Sequence, residues 1–178
     1  MALEKVQALP GLTPGPADQK ETPELFAARE PYPRLSDRAD VLVYQTEPLE
    51  EPIEVTGRAQ VTLSVSSSAV DTDFTAKLVD VYPPNEDYPD GYDMLINDSI
   101  IRCRYREGFD REVFLTPGEV VPVSILLPPT SNVFAAGHRI RIDISSSNFP
   151  RFDVNPNTGE PEGRARRKQV AGNGVHLS

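Results

Sequence analysis

The sequence contains no tryptophan and a single cysteine, Cys103, in 178 residues. One thiol cannot close an internal disulfide, and it cannot build a thiolate metal cluster. No stretch approaches the ~18 apolar residues that a membrane-spanning helix requires. The amino terminus lacks a basic start followed by an apolar block. No signal peptide is read there, which favours a cytoplasmic location, although a longer parent chain would carry any signal at its own start. Positive charge is also scarce: 18 Lys and Arg stand against 27 Asp and Glu, a formal net charge of −9. Such a chain does not gather phosphates, so neither nucleic acid nor membrane is an expected partner. Its basic run, Arg164, Arg166, Arg167 and Lys168, is short and lies in a Gly-rich stretch. A solvated loop is the expectation there.

What is plentiful is proline, with 18 residues. Proline interrupts helices and central strands, so many turns and edge segments are expected. Charged residues at 25% and hydrophobic ones at 38% are ordinary for a folded domain. A chain this long buries roughly 70% of its unfolded surface as one domain. Residues 1–39 are rich in Pro, Glu, Ala and Arg and show little periodicity. They read as an extended, irregular amino-terminal connector with one helical turn around Glu24–Arg29. Residues 40–178 read as the folded domain.

In that domain the period is two. Ala59, Val61, Leu63 and Val65 alternate with Arg58, Gln60, Thr62 and Ser64, which places an apolar row on one face of a strand and a polar row on the other. Phe74, Ala76 and Leu78 alternate with Thr75 and Lys77. At Val79-Asp80-Val81 the phase shifts, as a bulge or burial on both faces requires. Further rows run through Ile101, Cys103 and Tyr105, through Val121, Val123, Ile125 and Leu127, and through Ile140, Ile142 and Ile144. Turn chemistry separates them: Pro83-Pro84-Asn85, Pro89-Asp90-Gly91, Thr116-Pro117-Gly118 and Ala136-Gly137. Many strands, Pro/Gly turns and no long segment of period 3.6 predict an all-β fold, a β-sandwich or jelly roll.

No catalytic residue is assigned. Hydrolysis by serine needs a nucleophile on a sharp turn, a histidine base and a carboxylate, and Gly-x-Ser-x-Gly is absent from the chain. Ser64, Ser66–Ser68 and Ser145–Ser147 lie at strand ends, where turn roles are expected. His138 opens a strand, and His176 is close to the end of the chain. Neither has a neighbour at metal-ligand spacing, so no metal and no cofactor is expected. Cys103 reads as buried filler. The acidic loop with Glu86, Asp87, Asp90 and Asp93 also carries Tyr82, Tyr88 and Tyr92. Tyr88, Asp90, Tyr92 and Asp93 are the candidate ligand loop of a free-standing carbohydrate- or Ca²⁺-binding sandwich. The plainer alternative is a solvated hairpin tip. Asp71 and Asp73 form a second close carboxylate pair, and Asn97-Asp98-Ser99 matches a glycosylation sequon.

Two blocks, VSSSAVDTDFTAKLVDV at 65–81 and TSNVFAAGHRIRIDISSSNFPRFDVNPNTGE at 130–160, carry a resemblance. With GPADQ at 15–19 and VLVYQTEPLEEPIEVTG at 41–57, they are similar to the carboxy-terminal jelly-roll, galactose-binding-like domain of the X-Pro dipeptidyl-peptidase/cocaine esterase (CocE/NonD) class of serine hydrolases. The resemblance implies a non-catalytic module whose parent carries its catalytic triad in a preceding α/β-hydrolase domain, in cis or in trans. It implies that the module packs on that domain, helps shape the substrate pocket and contributes to homo-oligomer contacts. It places Leu9 in the pocket wall. It gives Asp73 turn amides to accept, gives Arg139, Arg141 and Arg151 carboxylates to pair with, and makes Asn155-Pro156-Asn157-Thr158-Gly159 a turn with left-handed backbone. Relatives continue into a last apolar strand, whereas this sequence ends at Asn173-Gly174-Val175-His176-Leu177-Ser178. A missing final strand would leave a neighbour with unpaired backbone groups.

Overall fold

The computed structural model describes residues 3–6, 18–24 and 30–176. The period-two rows become strands: Leu3–Val6 (β1), Leu42–Gln45 (β2), Ile53–Ser67 (β3), Asp73–Tyr82 (β4), Tyr92–Arg102 (β5), Val121–Phe134 (β6), Arg139–Ser145 (β7) and Asn173–His176 (β8). They form two antiparallel four-stranded sheets, ordered β1-β8-β3-β6 and β2-β7-β4-β5. Among the described residues, only β4 and β5 are consecutive strands paired as a hairpin. The other connections pass from one sheet to the other, so the chain is wound as an all-β sandwich.

One core lies between the sheets. Val65 on β3 and Val123, Ile125 and Leu127 on β6 meet Phe74, Ala76 and Leu78 on β4 and Ile144 on β7. Burying each such side chain stabilises the fold by about 1.5–3 kcal/mol before conformational entropy is counted. Cys103 is buried in the same core, and burial pushes its thiol pKa up. On the edge strand β6, Pro122, Pro128 and Pro129 withhold amide donors, a device that discourages edge-to-edge pairing. The phase shift at Val79 is a register shift in the β4–β5 ladder between Leu78 and Val79.

One expectation meets a different outcome. The alternation through Cys103 and Tyr105 is not strand, because β5 stops at Arg102 and Cys103–Tyr105 is a 3₁₀ turn. Cys103 and Arg104 are both buried there, which a pleated strand with one wet face does not allow. The tail at Asn173–His176 is itself a strand, hydrogen-bonded to β3 on one side and β1 on the other. The connector also supplies structure. Besides β1, its residues 18–21 and 33–35 exchange backbone hydrogen bonds with each other and with β5 (Gln19 N to Asp93 O, 2.9 Å; Leu35 N to Gln19 O, 2.9 Å). Residues 25–29 of the expected helical turn lie outside the described residues.

Candidate functional site

Hydrolytic chemistry would need serine, histidine and carboxylate in one chain of contacts, and the fold makes two separate pairs. On the β3/β8 sheet, Ser66 Oγ lies 2.8 Å from His176 Nε2. On the other sheet, Asp80 Oδ1 lies 2.8 Å from His138 Nδ1, and the Tyr82 ring rests on the imidazole at 4.2 Å. Among the described residues, no carboxylate bonds His176 and no serine bonds His138. Within the described residues, neither pair completes the serine–histidine–carboxylate relay. Both fit as cross-links: Ser66–His176 ties the last strand to β3, and Asp80–His138 ties the β6–β7 turn to β4.

The candidate ligand loop divides at Asp93. Tyr88 and Tyr92 meet with tilted rings at 4.6 Å, and Tyr82 packs edge-on against both at 6.4 and 6.0 Å. These rings therefore spend much of their contact on one another. Asp90 stays at the exposed tip, where its carbonyl accepts a hydrogen bond from Arg34. Asp93 points to the opposite face of β5 and is buried between Arg34 and Arg141, with 2.8 Å contacts to each. Among the described residues, no group of three or more His, Cys, Asp or Glu side chains converges as a metal would need. Leu9, assigned above to a pocket wall, lies outside the described residues.

A polar assembly covers the outer face of the β2-β7-β4-β5 sheet. Lys77 is 1% exposed, and its cross-strand partners are Asp98 on β5 and Asp143 on β7. Its ammonium donates to Gln19 Oε1 at 3.0 Å. Burial pushes its pKa down to about 8, while Asp98 and Asp143 pull it back up. Arg141 bridges Asp93 and Asp143, and Arg151 reaches Asp98 at 3.0 Å. Both arginines thus pair with carboxylates, whereas Arg139 makes a longer 3.4 Å contact to exposed Glu47. The connector lies over this layer, with Arg38 bonded to Glu21 and Asp40. Beside it is a cavity of about 400 Å³ lined by Arg34, Tyr82, Asp93, Arg139 and Arg141. Each of its guanidinium groups is already engaged by carboxylate or carbonyl oxygen.

At the far end of the same sheet, Arg102 grips Asp73 through two hydrogen bonds, and Arg104 donates to buried Asp71 at 2.8 Å. Asn155 bridges the two carboxylates. The amide-accepting role expected of Asp73 falls instead to Asp71, which accepts from the Arg104 backbone N–H at 3.0 Å. Asp73 is occupied by side chains because Arg102 is its directly paired neighbour on β5. The 155–159 turn has the left-handed backbone its residues suggest, with Asn157 at φ 62° and Gly159 at φ 70°.

Comparison with known proteins agrees with this geometry. Residues 4–176 match the X-Pro dipeptidyl-peptidase C-terminal non-catalytic domain. The chain is 46% identical over 164 residues to the cocaine esterase of Rhodococcus sp. (strain MB1 Bresler), covering 91% of this chain and 25% of that protein. It thus spans about a quarter of the length of that relative. Among solved structures, an α-amino acid ester hydrolase superposes with a TM-score of 0.80 at 31% identity, over 100% of this chain and 31% of the other. An aminopeptidase from a marine sediment archaeon (Thaumarchaeota archaeon) gives 0.75 at 28% identity, over 97% and 34%.

Proposed function

The chain belongs to the X-Pro dipeptidyl-peptidase C-terminal non-catalytic domain family, and we propose that it works as the accessory β-sandwich of a serine hydrolase, packed on an α/β-hydrolase domain whose substrate pocket it helps to shape. One observation carries the reading: a non-catalytic domain matches nearly the whole chain, while hydrolase relatives are about four times as long. The parent would hydrolyse esters or amides, the chemistry in the names of those relatives. In this reading the strand order is that of a jelly roll, residues 1–39 link the two domains, and Leu9 stands at the pocket wall. The buried contacts of Gln19, Glu21 and Arg38 support the reading, because a segment held against the sandwich can hold a pocket wall in place. The hydrolase domain stands in cis, or in trans if the gene is split.

The test is hydrolysis of a p-nitrophenyl ester by the purified chain, with and without a serine-directed organophosphate. No turnover above the buffer rate is expected. Turnover that the inhibitor abolishes would sink the proposal.

A further inference from the structure

Five of the nine exposed large apolar side chains among the described residues lie in two loops at one end of the sandwich: Phe109, Phe114 and Val120 in residues 103–120, and Val154 and Val170 in residues 149–172. Phe109 is 84% exposed and Val170 is 88% exposed. These loops are not slack. Arg104, in the 3₁₀ turn that opens the first loop, bonds Asp71, Glu112 of the same loop and the Glu160 carbonyl of the second. Arg102 reaches Glu162 at 2.6 Å, and Leu115 N donates to Val70 O at 2.8 Å. Between the loops run two adjoining hollows of about 560 and 480 Å³, which share Arg102, Asp153 and Glu162. Tyr105, Phe109, Phe152 and Val154 give them apolar walls.

The other four exposed large apolar side chains, Ile53, Tyr88, Leu126 and Val133, are spread over the β3–β6 pair and the hairpin tip. The connector and residues 146–155 cover the outer face of the β4 sheet. The outer face of the β3–β6 pair exposes Leu126 and Val133 among the polar Arg58, Gln60, Thr62, Ser64 and Ser124. The hairpin end has self-packed tyrosines and the carboxylates of Glu86, Asp87 and Asp90. Firmly held loops that leave apolar side chains in water are suited to association, since little further ordering is needed on contact. In a chain of net charge −9, the same end also carries the basic run Arg164, Arg166, Arg167 and Lys168.

We propose that this end, formed by residues 103–120 and 149–172, is the surface that docks on the α/β-hydrolase domain. Phe109 and Val170 would enter apolar hollows of that domain, and the basic run would face its carboxylates. This inference rests on the accessory-module reading above. The three quarters of the Rhodococcus relative that this chain does not match is the body available to cover the surface.

The experiment replaces the matching segment of the Rhodococcus esterase with this chain and follows ester hydrolysis and thermal inactivation of the chimera. An active chimera is expected. Phe109→Asp and Val170→Asp should each shorten its half-life by about fivefold or more, while Leu126→Asp and Tyr88→Asp change it by less than about twofold. In the isolated chain all four variants should keep the wild-type unfolding midpoint within about 2 °C. If the chimera is active but Leu126→Asp or Tyr88→Asp is as damaging as Phe109→Asp, the surface is misassigned while the module reading stands. An inactive chimera that protease splits into its two parts would remove the module reading, and this surface with it. Loss of midpoint in the isolated Phe109→Asp chain would make the side chain structural and overturn the assignment. So would a dimer of the isolated chain that Phe109→Asp dissociates, because the surface would then belong to a second copy.

Discussion

Strands β3 and β4 carry the same alternation of apolar and polar residues, and their polar rows end in opposite environments. Along β3, Arg58, Gln60, Thr62 and Ser64 face water. Along β4, Asp73, Thr75 and Lys77 are buried. The connector and the 146–155 loop cover them. A polar row shows only that one face of a strand avoids the core. Whether it meets water or other protein depends on what the rest of the chain lays over it. Every charge under that cover needs a partner, because an unpaired buried ion is far costlier than an exposed one.

This contrast predicts where substitution hurts. The largest effect is expected from Arg141→Ala, which removes the cation shared by buried Asp93 and Asp143. About 3–5 kcal/mol should be lost in urea unfolding, and a loss below about 1 kcal/mol would erase the distinction between the covered and the open face. Asn155→Ala deletes the amide between Asp71 and Asp73. It should cost up to about 3 kcal/mol, and an unchanged midpoint would mean that water replaces the amide freely.

Lys77 gives the covered layer a pH signature. Its pKa is held at about 8 in the fold against the ordinary 10.5. Between those values the unfolded chain binds a proton that the folded chain has released, so stability rises with pH through that window. Below it both states are protonated and the cost of burying the charge is fully present. Wild type should gain about 2 kcal/mol on Lys77→Met between about pH 8 and pH 10. Parallel pH curves for the two proteins would exclude Lys77 as the source. The smallest effect belongs to the open face. Thr62→Ala on β3 should stay within about 0.5 kcal/mol of wild type, and a larger loss would show that something covers that row as well.

Strands with an unbroken apolar row were plain in the sequence, whether the other face is wet or covered. The rows of β3 and β6, with a wet face, and of β7, with a covered one, and the phase shift at Val79 could be read directly. β5 could not be read as a whole, because Asp93, Asn97, Asp98 and Ser99 break its apolar signal. Asp93 and Asp98 are buried against Arg141, Arg151 and Asn148. Around Cys103 the same signal misled, since alternation at the end of a strand also describes a tight turn with both neighbours buried. The Ser66–His176 and Lys77–Gln19 contacts join residues 110 and 58 positions apart. No local pattern announces either one.

Alternation and turn residues were enough to determine a two-layer β fold without a hydrolase's nucleophile turn, because pleating and turn geometry are set by neighbours along the chain. Which polar row would be roofed over, and which loops would be left holding phenylalanine and valine in water, were decided only in three dimensions. Cover is supplied by segments distant in sequence, and the free energy of a buried charge depends on the partner brought to it rather than on the residues beside it.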